Sequence, residues 1–223
     1  MATFSIKEKF GKPIEQIWKN KEFDNISIKK NGYASQDEIE ERSLLFIGIN
    51  PSISNENEWD KFYNNTQKRT EKTHKYFNRF FEISKEVGLR WSHIDLLFLR
   101  CTDQKEVAKI CRKYENGTQF IWEQLMISKQ IIEQAKPKII VINNSFARRL
   151  LGKEKENGQQ EWLGFDFKFD DSIGTDRIEN DGVLKGTPVF FTSMLTGQRA
   201  LDNGSFERLV WHINFVKDRL KVD

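Results

Sequence analysis

The chain is predicted to be an α/β protein with a parallel sheet covered by helices on both faces. Three observations predict it: short, continuous apolar runs at 43–49, 93–99, 138–142 and 188–193, amphipathic helical stretches between them, and turn residues at their ends. The 223 residues suit one large domain, against about 150 for a typical one, and we take 1–223 as a single domain. With 38% hydrophobic residues, 18 Phe and only 4 Pro, the chain is neither disordered nor repetitive.

Residues 1–42 are polar and charged, with Ile14, Ile17 and Trp18 at helical spacing, and are expected to form a covering arm without a core strand. SLLFIGI, residues 43–49, reads as a strand buried on both faces, ended by Gly48 and Pro51. From Thr73 to Val87, Phe77, Phe80, Phe81, Ser84 and Val87 recur at three and four residues, which predicts a helix stopped by Gly88. HIDLLFL, 93–99, is the second strand, and 118–135 a long helix ended before Pro137. KIIVI, 138–142, is the third strand, and the NNS that follows can cap a helix over 146–151. Residues 152–187 turn glycine-rich and charged, with alternation such as FDFKF, and read as a hairpin-like insertion or flap. PVFFTS, 188–193, is the last strand, and Phe206, Leu209, Val210, Ile213, Val216 and Leu220 form one stripe of a closing helix.

Charge and cysteine content narrow the function classes. Lys and Arg total 36 and Asp and Glu 33, a net charge of +3, so any nucleic-acid surface must be local. Residues 68–79 provide one: Lys68, Arg69, Lys72, Lys75 and Arg79 face the single acid Glu71, a local excess larger than that of the whole chain, interleaved with Tyr76 and Phe77. A solvated helix face explains the same charges. Cys101 and Cys111 cannot supply a four-thiolate cluster, and the acids of 166–181 lack the alternation of a calcium loop, so neither a metal nor a cofactor is expected. No apolar run approaches the roughly 18 residues of a membrane span and the first residues are charged throughout, so a cytoplasmic monomer without membrane contact is expected.

In parallel sheets ligands bind beyond the carboxyl ends of the strands, which directs attention to GINPS, the end of HIDLLFL, NNSFA and SMLTGQR. FIGINPS, Phe46 to Ser52, resembles the first active-site motif of the uracil-DNA glycosylase superfamily, nearest its mismatch-specific and single-strand-selective branches. PKIIVINNSFARRLL resembles the third strand and helix of that fold, and PVFFTSMLTG stands where its fourth strand and second motif stand. The resemblance implies a three-layer α/β/α fold around a four-stranded, mainly parallel sheet in the order 2-1-3-4. It also implies hydrolysis of the N-glycosidic bond of a deaminated or modified pyrimidine in DNA, either single-stranded or with the base flipped out of a duplex.

Such a reaction builds an oxocarbenium-like sugar and a departing base anion, so it needs a polar group holding water and donors facing the base oxygens. By resemblance Asn50 orients the water, and the backbone around Gly48, Ile49, Pro51 and Ser52 faces the base. An Asn that merely holds its own turn through an Asx-type bond is the alternative. An amide is a weak general base, so slow turnover is expected. Phe62, Tyr63 and Tyr76 are candidates to stack on the base, with Phe62 and Tyr76 preferred. Asn143 and Asp95 are candidates for its edge, Asp95 standing where the resembled families carry an asparagine. A carboxylate there accepts N3–H of uracil or the amino group of a cytosine-like base but cannot donate to uracil O4; capping a turn or pairing with Arg100 is its plain structural role. Lys72, His74 and Lys75 are candidates for phosphate.

The second motif of the resembled families begins with His or Asn followed by Pro-Ser. Here Ser193, Met194, Leu195, Thr196 and Gly197 occupy the stretch, without a histidine. The anion then meets either a weaker group, Ser193 or Thr196, or none, Met194 and Leu195 either wedge the strand or anchor the loop, and Gln198 and Arg199 can reach phosphate. A non-catalytic nucleobase or nucleic-acid binding module of the same fold therefore stands beside the glycosylase.

Overall fold

The computed structural model describes residues 2–53, 61–64, 74–152, 155–156, 159–160, 162–197 and 200–222. Strand β1 (Thr3–Ser5) leads into α1 (Ile6–Lys19), whose first turn is capped by the Ser5 hydroxyl accepting the Glu8 N–H. Ile6, Phe10, Ile14 and Ile17 of this helix are buried, and so are Phe23 and Ile26 beyond it. The amino-terminal residues therefore do more than cover: they contribute to the core on one face of the sheet, because a helical apolar stripe is stable only where it is shielded from water. Strands β2 (Ser35–Gln36) and β3 (Glu38–Glu40) follow, the latter antiparallel to β1 in a separate two-stranded sheet.

The central strand is β4 (Leu44–Gly48), buried at all five positions. β5 (Phe62–Tyr63) pairs with β2, and α2 (Asn78–Val87) begins after a 3-10 turn at Lys75–Phe77. That turn shortens the helix expected from Thr73, a residue outside the described ones; the His74 Nδ1 accepts the Tyr76 N–H at 3.2 Å and opens the turn. β6 (Trp91–Asp95) starts two residues before the expected strand and ends four before its expected end. Its parallel register with β4 pairs Gly48 with Asp95, and the chain then leaves the sheet.

Helix α3 (Gln104–Lys113) has no counterpart in the sequence reading, since only Val107 and Ile110 of its ten residues are buried. α4 (Gly117–Ala135), β7 (Ile139–Ile142) and α5 (Ser145–Leu151) lie where expected within a residue, the last capped by Asn144. Within 152–187 lie two hairpins, β8 (Lys155–Glu156) with β9 (Gln159–Gln160), and β10 (Phe167–Asp170) with β11 (Thr175–Ile178). β12 (Pro188–Phe191) and α6 (Asn203–Leu220) complete the chain.

The main sheet has six strands in the order β10-β11-β12-β7-β4-β6, where four were expected. β6, β4, β7 and β12 run parallel, and β11 adds to β12 antiparallel, with β10 outside it. The second hairpin is thus part of the sheet and no flap: it pairs the backbone edge that β12 would otherwise leave open. Alternation along β4 sends Leu45 and Ile47 into a core shared with α1 and α4, and Leu44 and Phe46 into one shared with α2 and α6. On the second face Phe46 stacks on Phe80, ring centres 4.4 Å apart.

Residues 96–99 carry no regular ladder, yet each of their N–H groups is paired. The Leu96 and Leu97 N–H groups donate to Gly48 and Ile49 carbonyls, and the Phe98 and Leu99 N–H groups donate to one buried oxygen, Gln124 Oε1, at 3.0 and 3.1 Å. Gln124 has no exposed surface. Gln124→Leu should therefore strand two buried donors and destabilise the fold by about 2–4 kcal/mol, read as a lower midpoint in urea unfolding at unchanged slope.

Candidate functional site

Gly48 ends β4, Asp95 ends β6, Asn143 follows β7 and Met194 lies just beyond β12, so four parallel strands deliver these residues to one end of the sheet. Together they line a cavity of about 310 Å³ that also meets Ile49, Asn50, Pro51, Ser52, Tyr63, His74, Tyr76, Phe77 and His93. That volume lies within the usual range for a small-molecule site, and aromatic rings make up much of its wall.

Asn50 is held by its amino end. Nδ2 donates to the carbonyls of Cys101 at 2.6 Å, Pro51 at 2.9 Å and Leu99 at 3.3 Å, fastening the GINPS turn to the segment after β6. The Cys101 N–H returns a bond to Pro51 O, and Thr102 Oγ1 accepts the Ile53 N–H. The Asx-type bond is therefore replaced by a grip on distant main chain. The same grip fixes which end of the amide is free: Oδ1 is buried and has no hydrogen-bond partner. An amide so oriented presents an acceptor, as required to hold a water by its hydrogen.

Asn143 is arranged in the same sense. Its Nδ2 donates to the Tyr76 hydroxyl at 3.2 Å, while Oδ1 is buried without a partner. Asn144 next to it caps α5 by accepting the Phe146 and Ala147 N–H groups, which holds the NNS turn in place. Buried polar atoms are nearly always paired in folded proteins, so two unpaired acceptors at one cavity point to a ligand or water supplying donors.

Strand alternation puts His93 and Asp95 on the same face of β6, the signal by which the sequence could have placed His93 here. The His93 ring is 2% exposed, both its nitrogens lack partners, and it packs edge-on to Tyr76 and Phe77. Burial drives its pKa down to about 3, so the ring is neutral, and its Nε2, 3.7 Å from Asp95 Oδ1, makes no ion pair. Burial likewise raises the Asp95 carboxyl to about 7. The phenols of Tyr63 and Tyr76 are pushed up first by burial and then by the neighbouring Asp95. Asp95 neither caps a turn nor pairs with Arg100. As a partly protonated acid it can also donate, which a carboxylate cannot.

The two opposite shifts act on stability with opposite signs. Folded Asp95 binds more protons than the unfolded chain between pH 3.8 and about 7, so its contribution falls as pH rises there; folded His93 binds fewer between about 3 and 6.5, so its contribution rises. They offset one another across the overlap. In an Asp95→Asn variant the histidine acts alone, and its melting temperature should climb with pH up to about 6.5 more steeply than that of the unmodified protein, measured by calorimetry.

Several expected site residues lie elsewhere. Phe62 turns toward the core and meets Tyr33 edge-on, so the adjacent Tyr63 takes its place at the cavity. Lys75 is exposed and does not line it, although His74 does. Leu195 is 2% exposed within the α2–α6 core and cannot act as a wedge. Of the described second-motif residues only Met194 reaches the cavity; Ser193, Thr196 and Gly197 do not. Arg79 lies over the Phe206 ring and bonds Glu82 and Asn203. Lys68, Arg69, Glu71, Lys72, Gln198 and Arg199 lie outside the described residues. Phe77, Arg100, Cys101, Thr102 and Gln104 line the cavity without having been singled out for it.

Among the described residues no group of His, Cys, Asp and Glu is placed to hold a metal ion, and no helix is long and apolar enough to cross a membrane. No protein-family model and no curated protein sequence matches the chain.

Proposed function

We propose that the chain is a uracil-DNA glycosylase-like protein of three-layer α/β/α design that hydrolyses the N-glycosidic bond of a deaminated or modified pyrimidine in DNA. The observation that carries this reading is Asn50, a residue of the wall of an aromatic cavity whose Nδ2 is fixed by three main-chain bonds while its buried Oδ1 has no partner. In this reading that oxygen accepts a hydrogen from water and turns a lone pair of the water toward the anomeric carbon. Tyr63, Tyr76 and Phe77 offer rings for the base, and Asp95 and Asn143 its polar partners, while the buried His93 ring beside them is neutral, which suits a neutral heterocycle. With no strong base at the water, the barrier is lowered mainly by orientation and by stabilising the leaving base, so turnover is slow.

A second reading, a binding module that retains a nucleobase without cutting, is favoured by one observation: from the described second-motif loop only the apolar Met194 reaches the cavity. The two readings separate on oligonucleotides carrying uracil, xanthine, hypoxanthine or a 5-modified pyrimidine, incubated with the protein and then treated with alkali. Strand breaks at the altered base are expected. Salt-sensitive binding without breaks establishes the module instead, and neither binding nor breaks overturns both.

A further inference from the structure

The Asp95 carboxyl lies among rings and backbone. His93 flanks it from its own strand, Tyr63 and Tyr76 bring phenols close enough to feel its charge, and a Cβ at Gly48 would strike its Oδ1. Arg100, Cys101 and His74 share the cavity, yet among the described residues no lysine or arginine is paired with Asp95 and no donor hydrogen-bonds it. The side chain remains 10% accessible, toward the cavity it lines. A carboxylate in such surroundings has lost water without gaining a counter-charge, and the way to relieve that cost is to keep the proton.

We infer that Asp95 meets the base as the neutral carboxylic acid, and that the site consequently accepts pyrimidines with either polarity of the N3/C4 edge, keto or amino. This rests on the glycosylase-like reading and deepens it by naming the substrate class. A carboxylic acid is one donor and one acceptor side by side, and either oxygen can carry the proton. Against a keto pyrimidine its C=O accepts N3–H and its O–H donates to O4. Against an amino pyrimidine its C=O accepts from the amino group and its O–H donates to N3. No side chain needs to turn over between the two, whereas an amide in the same place commits to one polarity as soon as its neighbours hold it. Loss of the proton leaves two acceptors, and each base then faces one of them with a lone pair. The burial that raises this carboxyl to about 7 sets the window: both pairings exist at mildly acid and neutral pH and fade above it.

The test uses the full chain and single-stranded oligonucleotides of adenines carrying one central residue: 2′-fluoroarabinouridine, 2′-fluoroarabinocytidine, whose glycosidic bonds resist hydrolysis, or a tetrahydrofuran abasic analogue. Affinities are measured from pH 5.5 to 8.5 at constant salt, and each base is scored by its ratio to the abasic analogue, which cancels backbone contacts. Both ratios should exceed one at pH 6 and both should fall by about tenfold per pH unit above the carboxyl pKa, as loss of a single proton requires. In Asp95→Asn the ratios should be flat with pH and only one of the two bases should keep its preference. A ratio that is flat in the unmodified protein, or a preference confined to one base at pH 6, overturns the inference while leaving the glycosylase-like reading intact. Failure of all three oligonucleotides to bind at any pH overturns both.

Discussion

Asn50→Ala is expected to lower the rate of glycosidic hydrolysis at least about a hundredfold while leaving oligonucleotide affinity within a fewfold of the unmodified protein. The methyl group that remains cannot hold the water. The same change also deprives the Leu99, Pro51 and Cys101 carbonyls of their shared donor, so a loss of about 1–3 kcal/mol in unfolding free energy should accompany it. Single-turnover kinetics on a uracil oligonucleotide, run well below the variant's melting temperature, separate the two effects. Asn50→Asp is the sharper control, because a carboxylate in this position faces three carbonyl oxygens with no hydrogen to offer. It should fold less well than the alanine variant. An alanine variant that cuts as fast as the unmodified protein would remove Asn50 from the chemistry.

Gly48→Ala should be nearly as damaging, for a steric reason unrelated to backbone freedom. A Cβ there would collide with Asp95 Oδ1 and come within 3.3 Å of His93 Nε2, and the His93 ring is hemmed in by Tyr76, Phe77 and Phe80. Overpacking of this kind costs about 1–3 kcal/mol, and Asp95 can yield only by moving into the cavity. Denaturant unfolding should register the first effect. Competition between uracil and abasic-analogue oligonucleotides should register the second, as loss of base preference with non-specific DNA binding retained. Unchanged preference would show that the Gly48–Asp95 contact does not shape the pocket.

The parts of the fold that were legible from sequence are those with a local cause. β4 and β7 are uninterrupted apolar runs bounded by turn residues, α4 carries a long apolar stripe, and the NNS cap of α5 functions as its residue types suggest. What was not legible depends on partners far along the chain. α3 carries only a short stripe, Val107 and Ile110 buried with Cys111 and Tyr114 packed against the same core, and the pairing of β11 with β12 joins segments whose own pattern says hairpin and nothing about a neighbour. HIDLLFL reads as one strand because five of its seven residues are apolar, yet past Asp95 its backbone bonds Gln124 and Ser128 of α4 and the carbonyls of Gly48 and Ile49 in place of a regular ladder. At the site, the choice of GINPS, Asp95 and Asn143 followed from strand ends. The direction of the Asn50 amide did not, because its acceptors lie 49 and 51 residues downstream. Nor did the protonation of Asp95, which depends on being enclosed by residues from four separate segments.

The fastening of the GINPS turn to residues 97–101 also sets how this end of the molecule opens. The amides of Leu97 and Cys101 are tied to the carbonyls of Ile49 and Pro51, and the Asn50 side chain rivets the same two stretches. These protons should therefore exchange with deuterium as one cooperative unit, at a free energy near that of global unfolding, and not by local fraying. A ligand thus enters a rigid cup whose rim on this side is already set, and any adjustment to its shape has to come from the opposite wall.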